Sequence, residues 1–147
     1  MSATATLNAL IARTDKVDLT ELDAFFDALP SVPEEFMLGE WTGGVFNTGH
    51  PGEKQLGAMK WDGKTFRSAN DVQPIICKLD DGSRVASNVM GAASLRAVKY
   101  RGVVTATMVY DKHPIFDHFR LVDDNTVLGA MDSKGDAFPL YFYLRRL

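Results

Sequence analysis

At 147 residues the chain is sized for one domain with a substantial core. Hydrophobic residues make up 46% and charged residues 24%, and the net charge of -3 gives no electrostatic reason to expect nucleic acid as a partner. Cys77 is the only cysteine, which excludes an internal disulfide. The N-terminus has no basic start followed by an apolar run, and no stretch approaches the roughly 18 apolar residues of a membrane span. A cytoplasmic protein with no membrane partner is therefore expected.

The chain opens with helical spacing. Leu7, Leu10 and Ile11 share one face. A second helix is predicted over about Leu19 to Leu29, capped by Asp18 or Thr20, with Leu22, Phe25, Phe26 and Leu29 as its apolar stripe. Pro30 stops it. Ser31 and Glu34 have the spacing of a capping box for a short third helix carrying Phe36, Met37 and Leu38. These helices, residues 1–38, are expected to cover an opening of whatever follows, because short amphipathic helices need a partner for their apolar stripe.

From Glu40 the period becomes extended. A strand is predicted over about Glu40 to Phe46, then a loop rich in Gly and Pro. Glu53 to Lys60 is ambiguous between a helical turn and a strand. Trp61 to Phe66 reads as a hairpin with Asp62-Gly63 at its tip. Gln73 to Leu79 is a strand, Asp81-Gly82 a turn, and 83–91 the least legible stretch. Ala93 to Tyr100 and Val103 to Tyr110 form the clearest hairpin, turning at Arg101-Gly102. Its second arm is rich in β-branched residues. Strands follow over Asp117 to Asp123, Thr126 to Asp132 and Phe138 to Arg146, separated by Asp124-Asn125 and Ser133-Lys134-Gly135.

Strands joined by tight turns, with no strand–helix alternation, exclude a doubly wound parallel sheet. An antiparallel meander of this length would leave a long exposed edge, and closure removes it. The fold class expected is mainly β: one domain over 1–147, with short N-terminal α-helices over 1–38 and an antiparallel β-barrel of about seven to nine strands over 39–147. A barrel of that size encloses either a packed core or one small ligand.

Polar chemistry concentrates between Tyr110 and Asp132. Strand alternation puts His118 and Arg120 on one face and Asp117 and Phe119 on the other, and the sequence leaves open which face points inward. Inward, His118 and Arg120 would supply a titratable base and a cation; Asp117 could instead work with Asp111 as a carboxylate pair. Pro114 shortens the connection between Tyr110 and Asp117. Asp111, Asp117, His118 and Arg120 are therefore expected as one polar cluster at the mouth or inside of the barrel. The plain alternative is a salt-bridge network that includes Arg145. His50, in a Gly-His-Pro loop, is either a loop residue or a rim ligand. Lys64 could hold an anionic group beside Trp61 and Phe66, or simply sit in a hairpin. No histidine pair has the spacing and carboxylate company of a zinc site, no nucleophile elbow occurs, and Cys77 reads as a small buried residue. No metal or cofactor is expected.

Gly39-Glu40-Trp41-Thr42-Gly43 fits the pattern GXWXG, and the chain resembles the small GXWXG protein family. The segments YRGVVTATMVYDKHPIFDHFR and YFYLRR are similar to the domain of unknown function that follows that motif. More distantly, Gly-x-Trp after a short helix resembles the calycin group of barrels (lipocalin, fatty-acid-binding and nitrobindin types). That resemblance implies a Trp packed across the barrel base against a cation of the last strand, here Arg145 or Arg146.

Three readings of function follow. The first is a barrel holding a small apolar or amphipathic molecule, with Trp41, His50, Trp61, Lys64, Phe66, Met108, Tyr110, Phe119, Arg120, Met131, Tyr141 and Tyr143 as its ligand-binding residues. The second is a cofactor-free isomerase, lyase or cyclase using Asp111, Asp117 and His118 as acid and base. The third, implied by the nitrobindin resemblance, is a haem barrel. A homodimer is left open.

Overall fold

A computed structural model describes residues 1–147. Three α-helices, α1 (Ala3–Ala12), α2 (Leu19–Ala28) and α3 (Gly52–Ala58), and a 3-10 turn over Glu34–Met37 accompany nine strands. The strands are β1 (Gly39–Val45), β2 (Trp61–Ser68), β3 (Asp71–Lys78), β4 (Arg84–Ala86), β5 (Ala93–Tyr100), β6 (Val103–Tyr110), β7 (Ile115–Asp123), β8 (Thr126–Ser133) and β9 (Leu140–Arg146). All pairings are antiparallel. The order β2-β1-β9-β8-β7-β6-β5-β3, closed by the β2–β3 pairing, makes an eight-stranded barrel, with β4 appended to β3.

The turns that sequence chemistry marks are where the chain reverses. Arg101 (φ +50°) and Gly102 (φ +82°) both take positive φ, the geometry of a two-residue turn that matches strand twist. Asp62-Gly63 is a correction. Trp61 to Ser68 is one strand, and its ladder with β3 shifts register on either side of Gly63 instead of turning there. Glu53 to Lys60, ambiguous in sequence, holds α3, and the stretch 83–91 holds the short β4.

The GXWXG motif has a physical reading. Gly39 adopts φ +127°, which side chains disfavour, as the chain leaves the 3-10 turn. Trp41 is fully buried at the barrel base and its indole N–H donates to the Met37 carbonyl at 2.8 Å. The Arg146 guanidinium lies 4.3 Å from the indole centroid, so Arg146 and not Arg145 makes the cation-π contact expected from the last strand. At Gly43 a Cβ would stand 1.9 Å from the Tyr143 carbonyl oxygen, so any side chain would force β1 away from β9.

The helices do not all cover an opening, as their stripes alone suggested. Leu7, Leu10, Leu22 and Phe26 pack with Val122, Leu128, Ala130 and Tyr141, on the outer face of β7, β8 and β9. The alternate residues Phe119, Val127, Phe142 and Leu144 belong to the interior cluster with Trp41, Phe66 and Met108. This wall is apolar on both faces, and its outer stripe is what draws α1 and α2. Residues 30–32 then lead the chain inward by wedging between β6 and β7. Leu121 donates to the Pro30 carbonyl at 2.8 Å and Ala106 to that of Val32 at 2.9 Å. Ser31 is used in a bridge to Arg120, not as a helix cap. Only the 3-10 turn, with Val32 and Met37 in the interior cluster, plugs the base. No helix is long and apolar enough to cross a membrane.

Candidate functional site

α3 lies at the end of the barrel opposite the 3-10 turn. There it roofs a cavity of about 190 Å³. Leu56 and Met59 come from this segment; Ile75, Met90, Ile115 and Leu140 come from the barrel or its loops. Tyr110 and Met131, two residues expected to bind ligand, line it as well, and so does His50.

His50 is held from two sides. Its Nδ1 accepts from the Gly52 amide at 2.9 Å, which leaves the proton on Nε2 to donate to Asp136 at 3.0 Å. The Phe138 ring stands edge-on, 5.4 Å away. Glu53 fastens the same loop by accepting from the amides of Thr48, Gly49 and His50. His50 is therefore a fixed rim residue and not a free loop side chain.

Below the cavity the interior turns polar. Asp117 faces inward from β7, directly opposite Met108 on β6 and Met131 on β8. Lys64 faces inward from β2 and its ammonium pairs with Asp117 Oδ2 at 2.9 Å; both side chains are within 3% of complete burial. Lys64 also donates to the Pro74 carbonyl at 3.3 Å. Trp61, Phe142 and Tyr110 surround it, with ring centroids 5.5, 5.4 and 5.8 Å from Nζ. Asp117 Oδ1 has no partner. Desolvation raises the Asp117 carboxyl above its usual range against the pull of Lys64. Burial, then the Asp117 charge, holds the Tyr110 phenol well above its ordinary value.

The four-residue cluster Asp111, Asp117, His118 and Arg120 does not form. Asp111 is exposed and accepts from Ser94 at 3.0 Å. His118 and Arg120 point outward, under the helices. His118 stacks on Tyr100 with centroids 3.9 Å apart and bonds to Thr107 and Asp132 at 3.0 and 3.2 Å. Desolvation lowers its pKa, opposed by Asp132. Arg120 Nη1 donates to the Phe26 and Leu29 carbonyls at 3.0 and 2.8 Å, and its guanidinium lies 4.5 Å from the Phe26 centroid. It therefore serves the C-terminal end of α2.

Six more expected ligand residues stand away from the cavity. Tyr141 and Tyr143 face outward, where Tyr141 donates to Asp23 and Tyr143 packs on Phe46. Trp41 plugs the base. Phe66 and Phe119 pack edge to face in the interior core, beyond the polar layer, and Met108 is fully buried beside them. No group of three or more His, Cys, Asp or Glu side chains is placed to hold a metal ion. Sequence reasoning missed Leu56 and Met59 of the roof, and Ile75, Met90, Ile115 and Leu140 from the barrel and its loops. Leu56 and Met59, three apart, were the available signal.

Residues 24–82 match the family described as GXWXG protein, and residues 91–146 match the Domain of unknown function (DUF4334). A crystal structure of a protein from Thermomonospora curvata is similar over 100% of this chain and 99% of that one, at 44% identity and a TM-score of 0.92. No curated protein matches.

Proposed function

The chain belongs to the GXWXG protein family, joined to the domain of unknown function that follows the motif, and from that premise we infer that it is a binding barrel for a small apolar or amphipathic molecule. The observation that supports this most is the cavity under α3. Most of its lining is flexible or branched apolar side chains, and His50, Gln55, Tyr110, Ser133 and Asp136 supply the polar ones. An apolar cavity of roughly 150 Å³ is enough for benzene. At about 190 Å³ this one suits a ligand of one-ring size. Haem fits less well, because His50 already uses both ring nitrogens.

A titration of fluorobenzene followed by 19F NMR tests the reading. Saturable binding is expected, together with its loss in Met131→Trp, where the new indole fills the cavity while the far-UV spectrum stays unchanged. Absence of saturation, or binding indifferent to Met131→Trp, would refute it.

One observation favours acid–base chemistry as a second reading: Asp117 is a buried carboxylate with a raised pKa and a free oxygen. An isomerase, lyase or cyclase would use Asp117 with Tyr110, not with Asp111 and His118, which lie outside the barrel.

A further inference from the structure

The interior holds one polar layer that packing does not require. Apolar residues of similar volume could replace a buried ion pair without loss of stability, so its presence asks for another reason. Lys64 is accounted for by Asp117, by the Pro74 carbonyl and by three aromatic faces. Asp117 is not: Oδ1 is buried, inward-facing and receives no donor. Tyr110 lies against the same lysine and lines the cavity above it. Met131, directly opposite Asp117 in the ladder, lines that cavity too. Its thioether chain has three torsions and can turn aside, which brings the carboxylate within reach of a ligand.

We propose that Asp117 and Tyr110 form a recognition floor for a neutral hydroxyl group, so that the cavity takes a small alcohol or phenol, hydroxyl end first. The chemistry selects this class. Asp117 Oδ1 can only accept, and a phenol O–H can donate, so the matching group must both donate and accept. A hydroxyl does both. A carboxylate would face Asp117 with like charge and has no proton for Oδ1, and a phosphate would bring still more negative charge to it. An amine would set a second positive charge beside Lys64. A ketone or ester has no proton for Oδ1, and a hydrocarbon leaves both groups unpaired.

This rests on the cavity binding a ligand at all, and a matched series separates the two claims. The full chain is titrated with cyclohexylmethanol, methylcyclohexane, cyclohexanecarboxylate and cyclohexylmethylamine at neutral pH, followed by amide NMR shifts. The alcohol is expected to bind about tenfold or more tighter than each of the others, the scale of one well-made buried hydrogen bond. Tyr110→Phe keeps the ring and its packing; it should cut the alcohol's advantage over methylcyclohexane several-fold. Equal binding of alcohol and hydrocarbon overturns the hydroxyl floor and leaves the binding barrel standing. Tightest binding of the acid or the amine also overturns the floor. Failure of all four to bind removes both.

Discussion

Asp117 and Arg120 stand three residues apart on β7 and face opposite sides of one wall. Both are fully buried charged residues, at 1% exposure each, yet they are built differently. Arg120 binds backbone: its guanidinium ties two carbonyls at the end of α2 to the sheet and lies over Phe26. Both keep buried polar atoms unpaired, Nε and Nη2 on Arg120 and Oδ1 on Asp117, but Asp117 binds only Lys64, a side chain equally cut off from water. The outer charge joins two layers of the fold. The inner one joins nothing that apolar packing could not hold. A buried charge that contributes no attachment is better explained by what it can recognise.

The largest effect should come from splitting the inner pair. Lys64→Met leaves Asp117 unpaired in an apolar interior and should cost about 3–5 kcal/mol at neutral pH by urea unfolding. The sign of its pH dependence is set by the direction already present in the native protein, where desolvation raises the Asp117 carboxyl. A carboxyl raised in the folded state takes up a proton on folding. The variant should therefore regain stability as pH falls through the folded value and lose it as pH rises. A cost under about 1 kcal/mol would mean that the carboxylate is not buried as described.

Arg120→Met comes next, at about 2–3 kcal/mol, because the Phe26 and Leu29 carbonyls lose their donor under the helix. α2 should also show faster amide exchange, whereas β6 and the interior should not. Equal loosening of interior and helix would erase the distinction between the two faces.

Replacing both inner partners is predicted to do far less than replacing one. Lys64→Met with Asp117→Leu should stay within about 1 kcal/mol of the native protein, since a hydrophobic pair of similar volume can substitute for ions. If the double variant is as unstable as the single ones, the layer is structural and the argument for recognition loses its basis.

The smallest effect belongs to His118 on the outer face. Its folded pKa is lowered by desolvation from 6.5, so the unfolded chain binds the proton first. Stability from this group is present above 6.5 and is lost as pH falls from there toward the lowered folded value. His118→Gln should flatten that slope in pH-dependent thermal melts. An unchanged slope would place the acid sensitivity elsewhere.

Much of the barrel is legible in sequence because its turns carry local chemistry. Arg101-Gly102 and Asp124-Asn125 announce reversals regardless of what packs around them. Asp62-Gly63 has the same local signature and fails, because the flanking strand continues by shifting register against β3. The inward face of β7 was not legible, since FDHFRLV carries apolar residues on both faces and alternation cannot choose between them. The docking of α1 and α2 makes the choice, and that contact is long-range. Lys64 was visible as a candidate cation, but its partner lies on β7, and no spacing links the two. The cavity roof was lost with the ambiguity of 53–60, where a seven-residue helix with no buried residue leaves a faint periodic signal.

The central claim is that the free oxygen of Asp117 receives a ligand hydroxyl. A crystal structure of the protein grown with cyclohexylmethanol tests it most directly. The account predicts the ring between α3 and Met131, with the hydroxyl oxygen roughly 2.7–3.0 Å from Asp117 Oδ1 and within hydrogen-bond reach of Tyr110. A ring in the cavity with its hydroxyl turned toward His50 and solvent, and Oδ1 still sealed beneath Met131, would contradict it.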